Sequence, residues 1–394
     1  MKTVKQQFES LLAQSLEKQA SDIHLTADRP IFLRRFGKLL PIEATPWSSN
    51  TISQLLTEVL HPSQQENLQT DRSLDFAYQA HQGPRFRLNV YYEKQRPSLA
   101  IRRIEEEVAS FESLHLPPTL EKLTEVTDGL VLITGPTGSG KSTTLNAIID
   151  QINRVTPQHI ITIEDPIEQV HDGAQSLIHQ RELFTDVPSY RQGIKDALRE
   201  DPDIILVGEM RDPDTMRTVI AAAETGHAVY STLHTSDAVG AINRILGGFS
   251  AAEQASIRHQ LSMVLRAVVS QRLVPTPSQD ARIPIVEVLW GTKAVCNHIR
   301  TGRLEQIYTL MESGSQNGMM TREQSLAFHV SKGTVALDDA LRLAKDPKVL
   351  VDLLRHRNQQ GTQSETEELP SIAGPAVSPT TNEGNKPRTQ TRTS

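Results

Sequence analysis

Nine consecutive residues, Gly135-Pro136-Thr137-Gly138-Ser139-Gly140-Lys141-Ser142-Thr143, carry the chemistry that is easiest to read in this chain. They fit the pattern G-x-x-x-x-G-K-[ST], in which glycines let the backbone close around an anion with its N–H groups pointing inward. In that pattern the lysine, here Lys141, reaches the β- and γ-phosphates, and the hydroxyl of Ser142 binds Mg²⁺. The context agrees. The apolar run Leu130-Val131-Leu132-Ile133 comes just before, and Leu145, Ile148, Ile149 and Ile152 recur at helical spacing behind. A strand, a glycine-rich loop and a helix N-terminus together make a triphosphate site.

Splitting a triphosphate also needs groups that orient water, hold a metal and answer the developing charge. Ile204-Ile205-Leu206-Val207-Gly208-Glu209 is an apolar strand ending in a carboxylate, so Glu209 is placed to hold Mg²⁺ through water. A second carboxylate cluster, Glu164-Asp165-Pro166-Ile167-Glu168, follows the strand-like Ile160-Ile163. Ligands of open α/β sheets bind at that end of the strands, although an acidic surface loop would look the same. His227 and the turn Ser231-Thr232-Leu233-His234-Thr235 flank a fourth strand, and a histidine taken alone is more often a structural residue.

The elements that must position these residues follow from periodicity. Strands at Leu130-Thr134, Ile160-Ile163, Ile204-Val207 and Ala228-Leu233 alternate with helical segments, which predicts a mostly parallel sheet covered on both faces. Long helices are expected from Ala251 to Gln271, then a strand at Ile283-Leu289 and a helical C-terminal part to about Arg357, with a capping box at Thr321 and Gln324. Residues 1–110 read as an α+β domain with strands at Asp22-Leu25, Ile31-Phe36, Leu74-Tyr78, Phe86-Tyr92 and Ser98-Ile104. Gly37 and Lys38 mark a hairpin turn, helices cover Ser49-Leu60 and Ser63-Gln69, and Ser63 with Glu66 forms a capping box. Pro117-Pro118 marks a boundary, so residues 111–357 form the nucleotide domain. The segment 358–394 is rich in Ser, Thr, Gln, Pro, Gly and Asn and is expected to be disordered, since it cannot bury enough apolar surface.

The 394 residues carry a formal net charge of −6 with both signs interspersed, so no overall field points to nucleic acid as a partner. No run of about 18 apolar residues offers a membrane span. Met1 to Gln19 is an amphipathic helix with Val4, Phe8, Leu11, Leu12 and Leu16 on one face, not a signal peptide. The single Cys296 excludes a disulfide framework and a four-cysteine zinc site, and fits a cytoplasmic protein.

The ordered series of motifs resembles the secretion-ATPase superfamily, and above all the type IV pilus retraction ATPases, the PilT family. The series is GPTGSGKST, Thr162-Glu168 (TIEDPIE), Asp201-Asp212 (DPDIILVGEMRD), Glu224-His227 (ETGH) and Ser231-Thr235 (STLHT). Ser21-Leu25 (SDIHL), Arg85-Asn89 (RFRLN) and Gln180-Glu182 (QRE) extend the likeness over nearly the whole folded chain. The resemblance implies an N-terminal PAS-like α+β domain, a RecA-like P-loop ATPase domain with a helical C-terminal part, and an ATP-hydrolysing homohexamer with Mg²⁺. It implies that Glu168 is the general base on water, that Glu209 and Ser142 hold Mg²⁺, and that His234 and His227 contact the γ-phosphate region. Arg87, Arg96 and Arg102 would reach a nucleotide at the subunit boundary. It further implies a place at the inner face of the inner membrane against a pilus platform protein, with no membrane span and no direct nucleic-acid contact.

The absence of a zinc element and of a further N-terminal domain favours retraction over assembly. One departure qualifies this. The family's AIRNLIRE motif stands here as Ala294-Val295-Cys296-Asn297-His298-Ile299-Arg300-Thr301. An accessory retraction ATPase working with a paralogous motor, a secretion or DNA-uptake motor, and a nucleotide-dependent binding module remain as alternatives.

Overall fold

A computed structural model describes residues 2–81, 83–104 and 107–364, with side chains described through residue 357. Two sheets, each with its own core, organise the chain.

The first sheet is built by amphipathic patterning. Helix α1 (Val4–Glu17) opens at a Thr3–Gln6 capping box and buries Phe8, Leu11 and Leu12. Strands β1 (Asp22–Thr26), β2 (Phe32–Arg35) and β3 (Lys38–Pro41) follow, then α2 (Ser49–Val59) and α3 (Pro62–Asp71), then β4 (Ser73–Gln79), β5 (Arg85–Glu93) and β6 (Arg96–Arg103). They form a six-stranded sheet in the order β3-β2-β1-β6-β5-β4, with every neighbouring pair antiparallel. Burial alternates along β4 and β5, so one face packs on the helices and the other stays open. Leu25, Leu33, Leu88 and Ile101 meet Phe8, Ile52 and Leu55 in that core.

The second sheet carries the phosphate loop. A 3₁₀ segment (Pro118–Glu125) leads into β7 (Gly129–Thr134), α4 (Lys141–Val155), β8 (His159–Glu164), β9 (Leu177–Glu182), α5 (Tyr190–Ala197), β10 (Ile204–Val207), α6 (Pro213–Glu224), β11 (Ala228–Leu233), α7 (Ala238–Gly247) and α8 (Ala251–Val264). Then come β12 (Leu265–Pro275), β13 (Arg282–Trp290), α9 (Lys293–Thr301), α10 (Ile307–Ser313), α11 (Arg322–Ser331), α12 (Leu337–Leu343) and α13 (Pro347–Ser364). The strand order is β13-β12-β7-β11-β10-β8-β9, parallel throughout except for the antiparallel β12–β13 pair. Strands β7, β10 and β11 are buried at every position, as a sheet covered on both faces requires. The α/β class and the covered parallel sheet are as the patterning predicts, and the Thr321–Gln324 capping box is present.

Four local expectations are corrected. Residues 265–271 are strand, not helix. β12 lies between β7 and β13 and is buried on both sides, so it lacks the alternation that separates a strand from a helix. Helix α3 starts at Pro62, with Gln64 Oε1 accepting the His61 N–H at 3.0 Å, because proline suits the first helical position and moves the cap ahead of Ser63. The hairpin turn is Phe36-Gly37, one residue earlier than expected, with both residues at positive φ. Helix α13 runs to Ser364, past the residue 357 where order was expected to end. The remainder of the segment expected to be disordered, residues 365–394, lies outside the described residues. Among the described residues, no helix is long and apolar enough to cross a membrane.

Candidate active site

Gly135 to Gly140 connect β7 to α4, and two of the glycines are forced. A Cβ on Gly135 (φ 152°) would lie 2.3 Å from the Gln271 carbonyl oxygen and 2.4 Å from Ser139 Oγ. A Cβ on Gly140 (φ 86°) would lie 2.8 Å from Gln271 Nε2. The loop therefore rests on β12, and Gln271 Oε1 accepts from Thr144 Oγ1 at 2.8 Å. Sequence reasoning missed Gln271 because its strand was read as helix. Pro136, Thr137, Gly138, Ser142 and Thr143 are exposed around the loop, whereas Ser139 and Lys141 are buried. Lys141 Nζ donates to the carbonyls of Gly135 and Pro136 at 3.0 and 3.1 Å. Burial pulls its ammonium below the usual lysine range, and the Glu209 carboxylate opposes this.

The C-terminal ends of β10 and β8, on the far side of β11 from β7, carry the acids, and the Glu209 carboxylate acts on the Lys141 ammonium. Beyond β10, Met210 N–H donates to the Thr232 carbonyl at 3.2 Å, and the Thr232 hydroxyl donates to the Gly208 carbonyl at 2.6 Å. This lacing fixes Glu209 beside β11. Glu209 Oε1 lies 3.2 Å from His234 Nε2, and Glu209 Oε2 accepts from Arg211 Nε at 2.8 Å. Arg211 Nη1 also lies 4.0 Å from Asp165, so it bridges the two acidic clusters, a role that strand patterning gave no sign of.

The segment after β8 reaches the first sheet. Arg87 Nη1 lies 2.5 Å from Glu168 Oε1, while its Nη2 lies 3.0 Å from Asp75. Arg85 donates through Nε to the Ile167 carbonyl at 2.9 Å and pairs with Glu182 at 3.2 Å. On the same side, the Ser63 hydroxyl donates to the Phe184 carbonyl, and Gln64 Nε2 donates to Thr185 at 3.1 Å. Desolvation pushes the Glu164 carboxyl up to about 7, against hydrogen bonds from Thr162 and Gln180 that favour its ionised form. Burial raises Asp165 as well, with Arg211 opposing.

His227 is not brought to this loop, and Arg96 and Arg102, expected at a subunit boundary, pair within the N-terminal domain. His227 directly precedes β11, and its carbonyl accepts from Gly129 N–H at 2.9 Å, at the opposite end of β7 from Gly135. A six-residue strand separates the two ends by about 20 Å. The motif ETGH places a histidine near a strand without saying at which end. Arg102 pairs with Asp22 at 2.9 Å and Arg96 with Asp28 at 3.0 Å, both on the first sheet.

Ser142 on the first turn of α4 and Glu209 beyond β10 supply hard oxygen donors of the kind Mg²⁺ takes, so the residues present fit the ion. Among the described residues, no group of three or more His, Cys, Asp and Glu side chains could hold a metal ion. An ion here would complete its shell with phosphate oxygens and water.

A loop of this pattern between a parallel strand and a helix, with acids converging at the strand ends, defines a P-loop nucleotide-binding protein. Residues 1–352 match the type II/IV secretion system protein family. The chain is 38% identical to the type IV pilus retraction ATPase PilT of Pseudomonas aeruginosa over 338 residues, which is 86% of this chain and 98% of that protein. It is 41% identical to the twitching motility protein of Neisseria gonorrhoeae over 314 residues, 80% of this chain and 84% of that protein. It is also 35% identical to the type IV pilus ATPase PilU of P. aeruginosa over 369 residues, 93% and 95% of the two chains. A solved structure of the pilus retraction motor PilT with bound ADP superposes with a TM-score of 0.79 at 38% identity, covering 87% of this chain and 98% of that one. The chain therefore belongs to the type II/IV secretion system family, as one of its PilT-like ATPases.

Proposed function

We propose that this chain is the subunit of a homohexameric, Mg²⁺-dependent motor that hydrolyses ATP to power type IV pilus retraction and twitching motility. The motor would act from the cytoplasmic face of the inner membrane on a pilus platform protein. The names of the relatives, PilT and twitching motility protein, support the process. The observation that carries the mechanism is the Arg87–Glu168 ion pair, which ties the acidic segment after β8 to the N-terminal sheet.

Lys141 and the backbone of residues 135–143 bind the triphosphate. Mg²⁺, when held by Ser142 and Glu209, neutralises charge on the phosphate oxygens. Glu168 orients the attacking water and accepts its proton at a carboxylate oxygen. An Arg87 bound to Glu168 weakens that base. Its guanidinium, turned toward the phosphoryl oxygens, frees the carboxylate and stabilises the transferring group. Because Arg87 belongs to β5, the exchange moves residues 1–110 relative to residues 111–357 as two hinged bodies. His234 holds Glu209 in register, and Arg102, on the same open face as Arg87, faces the nucleotide of a neighbouring protomer.

The second reading, an accessory retraction ATPase with a paralogous motor, draws on the 35% identity to PilU and on the altered segment Ala294-Thr301 in α9.

The test joins chemistry to process. Purified protein should release phosphate from ATP, and Glu168→Gln should bind ATP with unchanged affinity while its turnover falls by on the order of a hundredfold or more. Cells lacking the gene should carry excess pili that do not retract. Bald cells would refute a retraction role, and retraction that persists until a second ATPase gene is removed would favour the accessory reading.

A further inference from the structure

Behind the C-terminal end of β11 lies a polar cluster that the reaction described above does not use. Residues Ser236 and Asp237 join the His234 turn to α7. Arg322, the first residue of α11, donates through Nη2 to the Ser236 carbonyl at 2.5 Å and lies 2.7 Å from Glu287 Oε1. Glu287, on β13, accepts the Ala238 N–H through Oε2 at 3.1 Å. Lys345, just ahead of α13, reaches Asp237 Oδ2 at 3.2 Å and Glu287 Oε1 at 3.5 Å. Asp237 in turn caps α7 by accepting the Gly240 N–H at 2.6 Å.

The segment that carries Lys345 is itself anchored. Glu323 Oε1 accepts the N–H groups of Lys345 and Asp346 at 2.7 and 3.2 Å, and the Tyr308 hydroxyl donates to Glu323 Oε2 at 2.5 Å. The start of α11 and the segment just ahead of α13 thus converge on one turn, while Tyr308 of α10 braces Glu323. Glu287 and Arg322 are only 2% and 8% exposed, so their contacts are made away from water and depend on geometry. Two of those contacts go to the backbone of the turn, at Ser236 and Ala238. Two residues before Ser236 stands His234, 3.2 Å from Glu209.

We propose that Arg322 and Lys345 are positioning residues for ATP hydrolysis: through Glu287 they clamp the Ser236–Ala238 turn and so keep His234 on Glu209. The proposal rests on the reading of His234 and Glu209 as parts of the hydrolytic site. It extends the site to the helical C-terminal part, which thereby gains a route for influencing turnover without touching nucleotide.

The experiment uses the full-length protein and compares Lys345→Met, Arg322→Gln, Arg322→Lys and His234→Ala by steady-state ATP hydrolysis, ADP affinity and thermal melting. Lys345→Met and Arg322→Gln should each lower kcat by about tenfold with KM and ADP affinity changed by less than about twofold. Arg322→Lys should recover part of the loss, and neither clamp variant should slow the enzyme further once His234→Ala is present. Lys345 is the more exposed partner, so Lys345→Met decides the matter if Arg322→Gln does not fold. A fall in melting temperature with kcat unchanged well below melting overturns the proposal, as do losses that multiply with His234→Ala. If His234→Ala slows hydrolysis and neither clamp variant does, the clamp alone fails. If His234→Ala leaves hydrolysis intact, the reading of His234 fails and the clamp falls with it.

Discussion

The two sheets solve the burial problem differently, and the difference decides where each can do chemistry. Strands β4 and β5 alternate buried and partly exposed residues, so the first sheet keeps an open face bearing Asp75, Arg87 and Arg102. Strands β7, β10 and β11 are buried at every position, so these central strands of the second sheet place Lys141, Glu209 and His234 beyond their ends. A sheet sealed on both faces is a rigid platform for a phosphate cradle. A sheet open on one face can present cations to something that comes and goes. Arg87 and Glu168 are where the open face meets the strand ends.

The largest test of this contrast is Lys141→Ala. The strand-end site loses its main side-chain cation, and ATP affinity measured by calorimetry should fall by roughly a hundredfold, about 3 kcal/mol. Unchanged affinity would remove the phosphate loop from the chemistry. Next comes Arg87→Ala, which takes the open face out of the reaction. Turnover should drop by on the order of tenfold or more while circular dichroism stays native. A wild-type rate would make the open face a structural surface only.

Glu164→Gln sharpens the contrast through pH. A carboxyl raised to about 7 in the fold from an ordinary value near 4.5 binds its proton more tightly when folded, so its contribution to stability is present at low pH and lost as pH rises through 7. The amide needs no proton. Glu164→Gln should melt higher than wild type at pH 8 and close to it at pH 5, as read by melting curves across that range. A difference that does not vary with pH would mean that Glu164 titrates normally. The smallest effect is expected from Arg96→Ala. Its pair with Asp28 is about half exposed and sits at the far end of β6 from Arg102, so stability should change by less than about 1 kcal/mol and turnover not at all. A large loss of turnover in the assembled protein would bring that end of the open face to a neighbouring protomer's site.

Much of this was legible in order along the chain. Local pattern carries α1, β5, β7, β10 and the phosphate loop, because amphipathic alternation, apolar runs and a glycine-lysine loop are properties of neighbouring residues. The same applies to Glu209, which follows its strand directly. β12 was not legible. A strand buried on both faces lacks a period, and only its place between β7 and β13 decides its state.

The site divides along the same line. The chain's own order determined the phosphate-loop pattern with Lys141 and Ser142 in its defining places, and which carboxylates follow apolar strands, since a strand-loop-helix unit is set locally. The folded molecule decided that Gln271 floors the loop, that Arg87 rather than Arg96 or Arg102 meets Glu168, and that His227 stands at the wrong end of β11 for its own phosphate loop. It also decided that Arg322, more than eighty residues beyond the His234 turn, grips Ser236. Such contacts join residues far apart in the chain, and only the packing of both sheets and the C-terminal helices brings them within hydrogen-bonding reach.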